Sequence, residues 1–371
     1  MNKHISTRKI VINSLPFLLA LIVLILVRVS SSFPGKVEEY YSRGIYPAIA
    51  GILSGISSFI KYSLYDLFWI FMSLFILTGL FLVILRKIRP GRYILRFCQL
   101  VAILYSLFYI SWGFNYFRQD LRTRLGWSVM KPDETSFRSV LDSLISSANR
   151  TFTKVSRDDY PSIDESLEKS FSRCRDILSI SYPNGSRHPK TILVSSYFAK
   201  SGISGYFGPY FNEVHINFYQ LPGDYPFIVA HEKAHQFGFA NEADANMAAF
   251  IVCSNSPDKR LQYSGYKHLL LYFLNDARNL PDYHNYLSKI DAGVLNDIRT
   301  GEDYYDDLRN KKLEKIQTAA NDVYLKSQHI AQGVKNYNQV VSLTIGWYAE
   351  TGKLPLSTAP DFAGLSEKSP R

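Results

Sequence analysis

His231-Glu232-Lys233-Ala234-His235-Gln236-Phe237-Gly238-Phe239-Ala240-Asn241-Glu242-Ala243-Asp244-Ala245-Asn246 decides how the rest of the chain is read. It opens with His-Glu-x-x-His. On a helix, positions i and i+4 share one face, so His231 and His235 can reach a single metal ion. Glu232 is then placed as general base beside a water that the ion activates. Phe227-Ile228-Val229-Ala230 gives the helix an apolar lead-in, and Ala234 leaves room on the metal face. Gly238 suits a left-handed residue that ends the helix and turns the next segment back towards the histidines.

Three side chains compete to be the third ligand. In the spacing His-Glu-x-x-His-x-x-Gly-x-x-His, Gly238 matches but Asn241 stands where a histidine is needed, and an amide is a poor zinc ligand. A carboxylate is an ordinary one, and Glu242 is preferred to Asp244. If Glu242 and Asn246 share a helix, Asn246 can hydrogen-bond a ligand histidine. The bland alternative is that Glu242 only caps a helix start. A donor to the developing oxyanion is also expected, with Tyr263 and Tyr266 as candidates. His215 reads as the polar rim of a strand. His268 and His284 lack an acidic partner at ligand spacing, so all three stay outside the site.

Working outward, charge divides the chain. Residues 1–130 carry 15 Lys/Arg against 4 Asp/Glu, and residues 131–371 carry 27 against 28. The overall charge of +10 therefore belongs to the N-terminal part. Three apolar runs lie there, at about 11–29, 64–85 and 93–114, each long enough to cross a hydrocarbon core of about 30 Å. The first is too long for the core of a signal peptide, and Ser30-Ser31-Ser32 is a poor cleavage signal. Basic clusters precede the first run and fill Arg86–Arg92, so both should be cytoplasmic and everything after about residue 115 extracytoplasmic. Positive charge flanking apolar spans marks membrane topology and excludes nucleic acid as the expected partner. Trp112, Phe114, Tyr116 and Phe117 read as an interfacial aromatic belt.

Beyond the spans, residues 118–133 read as a connection, and 136–148 and 163–178 as scaffold helices. Thr191–Ser196 and Glu213–Phe218 read as strands, with a turn-rich stretch at 202–208. A strand just before the motif helix would offer an edge to an extended substrate. Small residues at 243–252 suit close helix packing, and 263–276, 283–298 and about 304–348 read as helices. The Pro-containing tail from 353 reads as disordered. Cys98 falls in an apolar run; Cys174 and Cys253 pair or stay free, and spacing leaves that open. The expected fold is a mainly α membrane protein: an anchor at 1–117 with three transmembrane helices, then an α+β zincin-like domain at 118–352 with a small sheet and a long helical C-terminal region.

His231-Glu232-x-x-His235 followed by Glu242-x-x-Ala245-Asn246 resembles the gluzincin-type zinc peptidases, whose third ligand is a glutamate on the next helix. The chain is also similar to a family of bacterial membrane proteins defined as a domain of unknown function. That likeness rests on Tyr41-Ser42-Arg43-Gly44-Ile45-Tyr46-Pro47, Trp112-Gly113-Phe114-Asn115-Tyr116, the motif, and Tyr263-Ser264-Gly265-Tyr266. Lys233 departs from the gluzincin pattern and is expected to point to solvent. The resemblance implies a fold and one zinc ion, and no substrate. The function expected is a membrane-anchored zinc hydrolase acting on peptides or proteins at the cell envelope, with the bilayer as its other partner. Two rivals stand beside it: a catalytically idle, zinc-stabilised interaction or sensory domain, and a scaffold in which the motif is coincidence.

Overall fold

The computed structural model describes residues 7–127, 133–181, 187–327 and 339–354. It is mainly helical with one three-stranded sheet. Three helices are long and apolar enough to cross a membrane: Val11–Ser30, Leu64–Ile84 and Pro90–Ser111. Each has a local reason for its ends. Ser63 caps the second, its hydroxyl accepting from Asp66 N at 2.9 Å, and Pro90 sits in the first turn of the third, where no donor is lost. The second buries no residue against the rest of the protein, so its Leu, Ile and Phe side chains face outward.

The stretch between the first two spans is folded. It forms a wide-turned π-helix over Val37–Ile45 and an α-helix over Tyr46–Ser58. The expected aromatic belt is also a correction. The third span ends at Ser111, a 3-10 turn covers Gly113–Phe117, and Trp112, Phe114 and Phe117 are buried in protein. They pack there because the 37–58 helices and the motif helix close over them.

The larger core surrounds one helix, Glu242–Ser254, whose residues from Ala243 onward are all buried. A helix apolar on every side must be enclosed. Tyr225–Gln236, Tyr160–Cys174, Lys259–Ala277 and Gln339–Thr351 do this, and Glu134–Thr151 packs behind the last two. Gly265 permits the closest approach: a Cβ there would lie 2.8 Å from Cβ of Cys253. Cys174 and Cys253 are both buried and both free.

The sheet has the order β1-β3-β2, with β1 at Lys190–Thr191, β2 at Gly205–Gly208 and β3 at Glu213–Ile216. β1 runs parallel to β3 and β2 antiparallel to it, with Tyr206 opposite His215. The expected strand at Thr191–Ser196 keeps one of its residues in β1 and then turns into a short helix, Ser195–Lys200; the turn-rich stretch supplies β2. The expected long helix over 304–348 is divided: helices cover Ala292–Leu308, Lys311–Ser327 and Gln339–Thr351, and 328–338 lie outside the described residues. So does the tail beyond Leu354.

The expected seam at 117/118 is crossed by strong contacts. Arg118 forms a bidentate pair with Glu38, Nε to Oε2 and Nη2 to Oε1 both at 2.8 Å, with their side chains 5% and 9% exposed. Removing one partner of such a pair strands a buried charge. Arg118→Ala should therefore cost roughly 3–5 kcal/mol, read as a lowered thermal unfolding midpoint of the full chain in detergent. Lys169→Ala, which breaks an exposed pair with Glu165, should leave the midpoint where it is.

Candidate metal centre

The motif helix, Tyr225–Gln236, carries His231 and His235 one turn apart. It stops where the sequence says it should. Gly238 takes φ +86°, and a Cβ there would meet Asn115 Oδ1 at 2.9 Å, so both conformation and space call for glycine. Three residues later Asn241 caps the next helix, its Oδ1 accepting from Ala243 N at 2.9 Å and Asp244 N at 3.2 Å. Asn241 is thereby occupied as a cap. Asp244 is occupied too, accepting from Leu121 N at 2.8 Å. Glu242 alone of the three turns to the histidines.

His231 Nε2 lies 3.1 Å from His235 Nε2 and 3.2 Å from Glu242 Oε2, and His235 Nε2 lies 3.5 Å from Glu242 Oε2. A tetrahedral ion at about 2.0–2.1 Å from each donor would set them roughly 3.3 Å apart. The triangle fits zinc without rearrangement. Its protonation fits as well. His235 Nδ1 lies 2.6 Å from Phe239 O, and a carbonyl only accepts, so this nitrogen carries a proton and Nε2 is the one that would face an ion, on losing its own proton. Glu242 Oε2 is buried without a hydrogen bond of its own. Donor atoms packed this closely repel one another unless something positive lies among them.

The electrostatics show the same demand for positive charge. Burial alone would lower the pKa of His235, but the Glu242 carboxylate overrides it and raises it to about 9. Burial alone would raise Glu242, but His235 and His231 hold it well below the usual carboxylate range. Burial pushes Glu232 up, and the two histidines offset only part of that. Glu232 is 6% exposed and faces the same cavity as the three candidate ligands.

That cavity holds about 1520 Å³. β2 forms one wall, the Lys311–Ser327 helix another through Gln317, Asn321 and Tyr324, and the second and third spans the rest. β2 is one of the two outer strands of the sheet, and its Gly205, Tyr206 and Phe207 line the cavity. The strand expected to offer an edge, β3, is central and paired on both sides.

Several other expectations need correcting. Tyr263 and Tyr266 do not line the cavity: Tyr263 donates to Asp297 Oδ2 at 2.7 Å, and Tyr266 packs edge-on against Phe250. On their helix, Lys259–Ala277, the cavity face instead includes His268, which the sequence reading places outside the site, and Tyr272, which it does not single out. His268 stacks on Phe227 with ring centres 4.4 Å apart. Asn246 donates to Tyr272 Oη at 3.3 Å, while Phe239 O does the expected work of orienting a ligand histidine. Lys233 is fully buried, its ammonium held by Glu168 and by Arg187 O. His215 is no rim residue; it is buried, with Nε2 2.8 Å from Ser63 Oγ and its ring stacked on Tyr206.

Gly205 in β2 marks how tightly the strand is pressed on Glu232. A Cβ at that position would lie 2.7 Å from His215 O and 3.0 Å from Cγ and Oε1 of Glu232. Gly205→Ala should cost about 1–3 kcal/mol through overpacking, seen as a lowered unfolding midpoint. Gly55→Ala, where an added Cβ meets nothing within 4 Å, should not lower it.

No curated protein and no solved structure matches the chain. A family model described as "Protein of unknown function (DUF3810)" matches residues 41–345, a range that takes in the second and third spans, the sheet and the metal-site helices. By that match the chain belongs to the DUF3810 family.

Proposed function

We propose that this protein is a membrane-anchored zinc hydrolase with a gluzincin-like site, and that it acts as a peptidase. The observation that carries the reading is the triangle of His231 Nε2, His235 Nε2 and Glu242 Oε2, with edges of 3.1, 3.2 and 3.5 Å, beside a buried carboxylate that faces a large cavity. A structural zinc site is closed by four protein ligands, whereas three ligands and an open side are the mark of a catalytic one. Zinc held there supplies Lewis-acid polarisation of a carbonyl and water acidified towards neutrality. Glu232 takes a proton from the attacking water and delivers it to the leaving amine, so the amide C–N bond breaks, hydroxyl joins the carbonyl carbon and hydrogen joins nitrogen. His268 and Tyr272 replace Tyr263 and Tyr266 as the candidate donors to the developing negative charge on that helix, because they line the cavity and the other two do not.

The membrane topology belongs to the same proposal. The basic N-terminus and Arg86–Arg92 lie on the cytoplasmic side, and three spans then deliver the site to the other face. An idle, zinc-stabilised interaction domain is the rival that retains the ion. The presence of Glu232 speaks against it, since holding zinc needs no base.

The full chain purified in detergent should carry one zinc. His231→Ala and Glu242→Ala should each weaken zinc binding by more than about 100-fold, beyond the effect usual for groups that only support a ligand. Glu232→Gln should keep zinc and lower peptide hydrolysis by at least about 1000-fold, the order expected of a general base at the upper end. Metal content by mass spectrometry and turnover on a peptide library check both. A wild-type chain without zinc overturns the metal reading; unchanged turnover in Glu232→Gln overturns the mechanism.

A further inference from the structure

The cavity does not stop at the three ligands. It continues down between the second and third spans. On the second span it is lined by Tyr65, Trp69 and Ser73, one helix face at four-residue spacing, and it reaches Leu74. Leu74 lies ten residues beyond Leu64, about 15 Å along a helix and so about half of a hydrocarbon core. On the third span the wall descends from Trp112 to Tyr105. Ile70 and Leu74 are both lining residues and largely exposed, so the crevice is open to the surface that lipid would cover.

The crevice is closed below, and above that one aromatic side chain is enough to touch both of its walls. At its base the two spans touch: the hydroxyl of Tyr93 donates to Ile76 O at 2.9 Å, and its ring lies 2.5 Å from where a Cβ of Gly79 would be. Higher up they part, and Tyr210 from the β2–β3 turn reaches across and lines the crevice. Its hydroxyl donates to Leu104 O on the third span at 3.1 Å, and its ring packs against Phe68 and Trp69 of the second at 5.4 and 6.1 Å. One aromatic side chain therefore bridges the spans. A helix, about 10–12 Å across with its side chains, does not fit through such a gap; an acyl chain does. At the upper end β2, an outer strand of the sheet, lines the cavity and packs against Glu232 at Gly205; an outer strand can pair its free backbone groups with an extended peptide.

We propose that the substrate is an acylated peptide, with its peptide part extended along β2 at the metal centre and its acyl chain lowered between the second and third spans. The cleavage of this substrate rests on the hydrolase reading above; its binding does not.

The test uses the full chain carrying Glu232→Gln, so that nothing is turned over, in phosphatidylcholine nanodiscs. The probe is a decapeptide bearing a palmitoyl chain with a terminal photoreactive diazirine; the same peptide with an acetyl group is the comparison. Labelling should map to Ile70–Leu74 and to Tyr105–Phe108. Ser73→Trp, and independently Ile70→Trp, should each lower it at least tenfold by filling the crevice. The palmitoyl peptide should outcompete the acetyl peptide at least tenfold for protection of the site. Labelling spread over the outward faces of the spans, or unchanged in both tryptophan variants, overturns the proposal. Displacement of the probe by a single-span helical peptide also overturns it, because it would show a wider passage. Zinc content and wild-type cleavage are measured separately. Crevice labelling without zinc or cleavage supports this proposal and counts against the hydrolase; equal cleavage of acylated and acetylated peptides does the reverse.

Discussion

The last carbonyls of the motif helix have no partners within it, and the structure depends on how they are met. Gln236 O accepts from the Tyr46 hydroxyl at 2.6 Å, and His235 O, which takes Gly238 N at 2.9 Å, accepts a second bond from Trp112 Nε1 at 2.8 Å. Gly238 O accepts from Arg118 Nη1 at 2.9 Å, which also places a cation at the negative end of the helix. All three side-chain donors come from residues 46–118, in or beside the membrane-type segment. Buried carbonyls left without donors cost about 1–3 kcal/mol each, so a fragment beginning after these residues would lose the support of the very turn that carries His235 to Glu242. The candidate site and the apolar helices form one unit.

That dependence explains why some of the chain was legible and some was not. The histidine pair, the left-handed Gly238 and the return of Glu242 follow from helix geometry and from what glycine alone tolerates, both local properties. The three spans follow from length and apolarity. What failed were assignments of facing. Lys233 stands two residues after His231, about 200° around the helix, and sequence cannot say whether that side meets water or core; here it meets Glu168. Tyr263 and Tyr266 were chosen by proximity in sequence, whereas His268 and Tyr272, four apart, share the face turned to the cavity. The folded 37–58 segment was hidden because its charges resemble those of a loop until Glu38 is seen paired with Arg118.

His215 failed for a related reason. Alternation along a strand implies one wet face, but β3 lies at the centre of its sheet and is covered on both sides. Its polar groups are there to be used. Glu213 accepts from Lys190 Nζ and from Ser57 Oγ at 2.8 Å, and its oxygens also accept from Leu64 N at 3.2 Å and Tyr65 N at 3.0 Å. Burial would raise its pKa, but hydrogen bonds from His215 and Lys190 bring it down to about 2, so the carboxylate stays charged.

A buried carboxylate on the first two amides of the second span is a helix N-terminus held by the opposite charge it favours. It fixes the start of that span to the central strand. Asp66 adds two more ties, accepting from Leu193 N at 2.8 Å and from the Tyr206 hydroxyl. The third span is fixed at its other end, through Trp112 and the Arg118 that follows it, to the motif helix. Both walls of the crevice are thus anchored to the elements that bear the chemistry, one through β3 and one through the turn after His235. Each of these ties is a hydrogen bond, so neither span can shift against the sheet or the motif helix without breaking one.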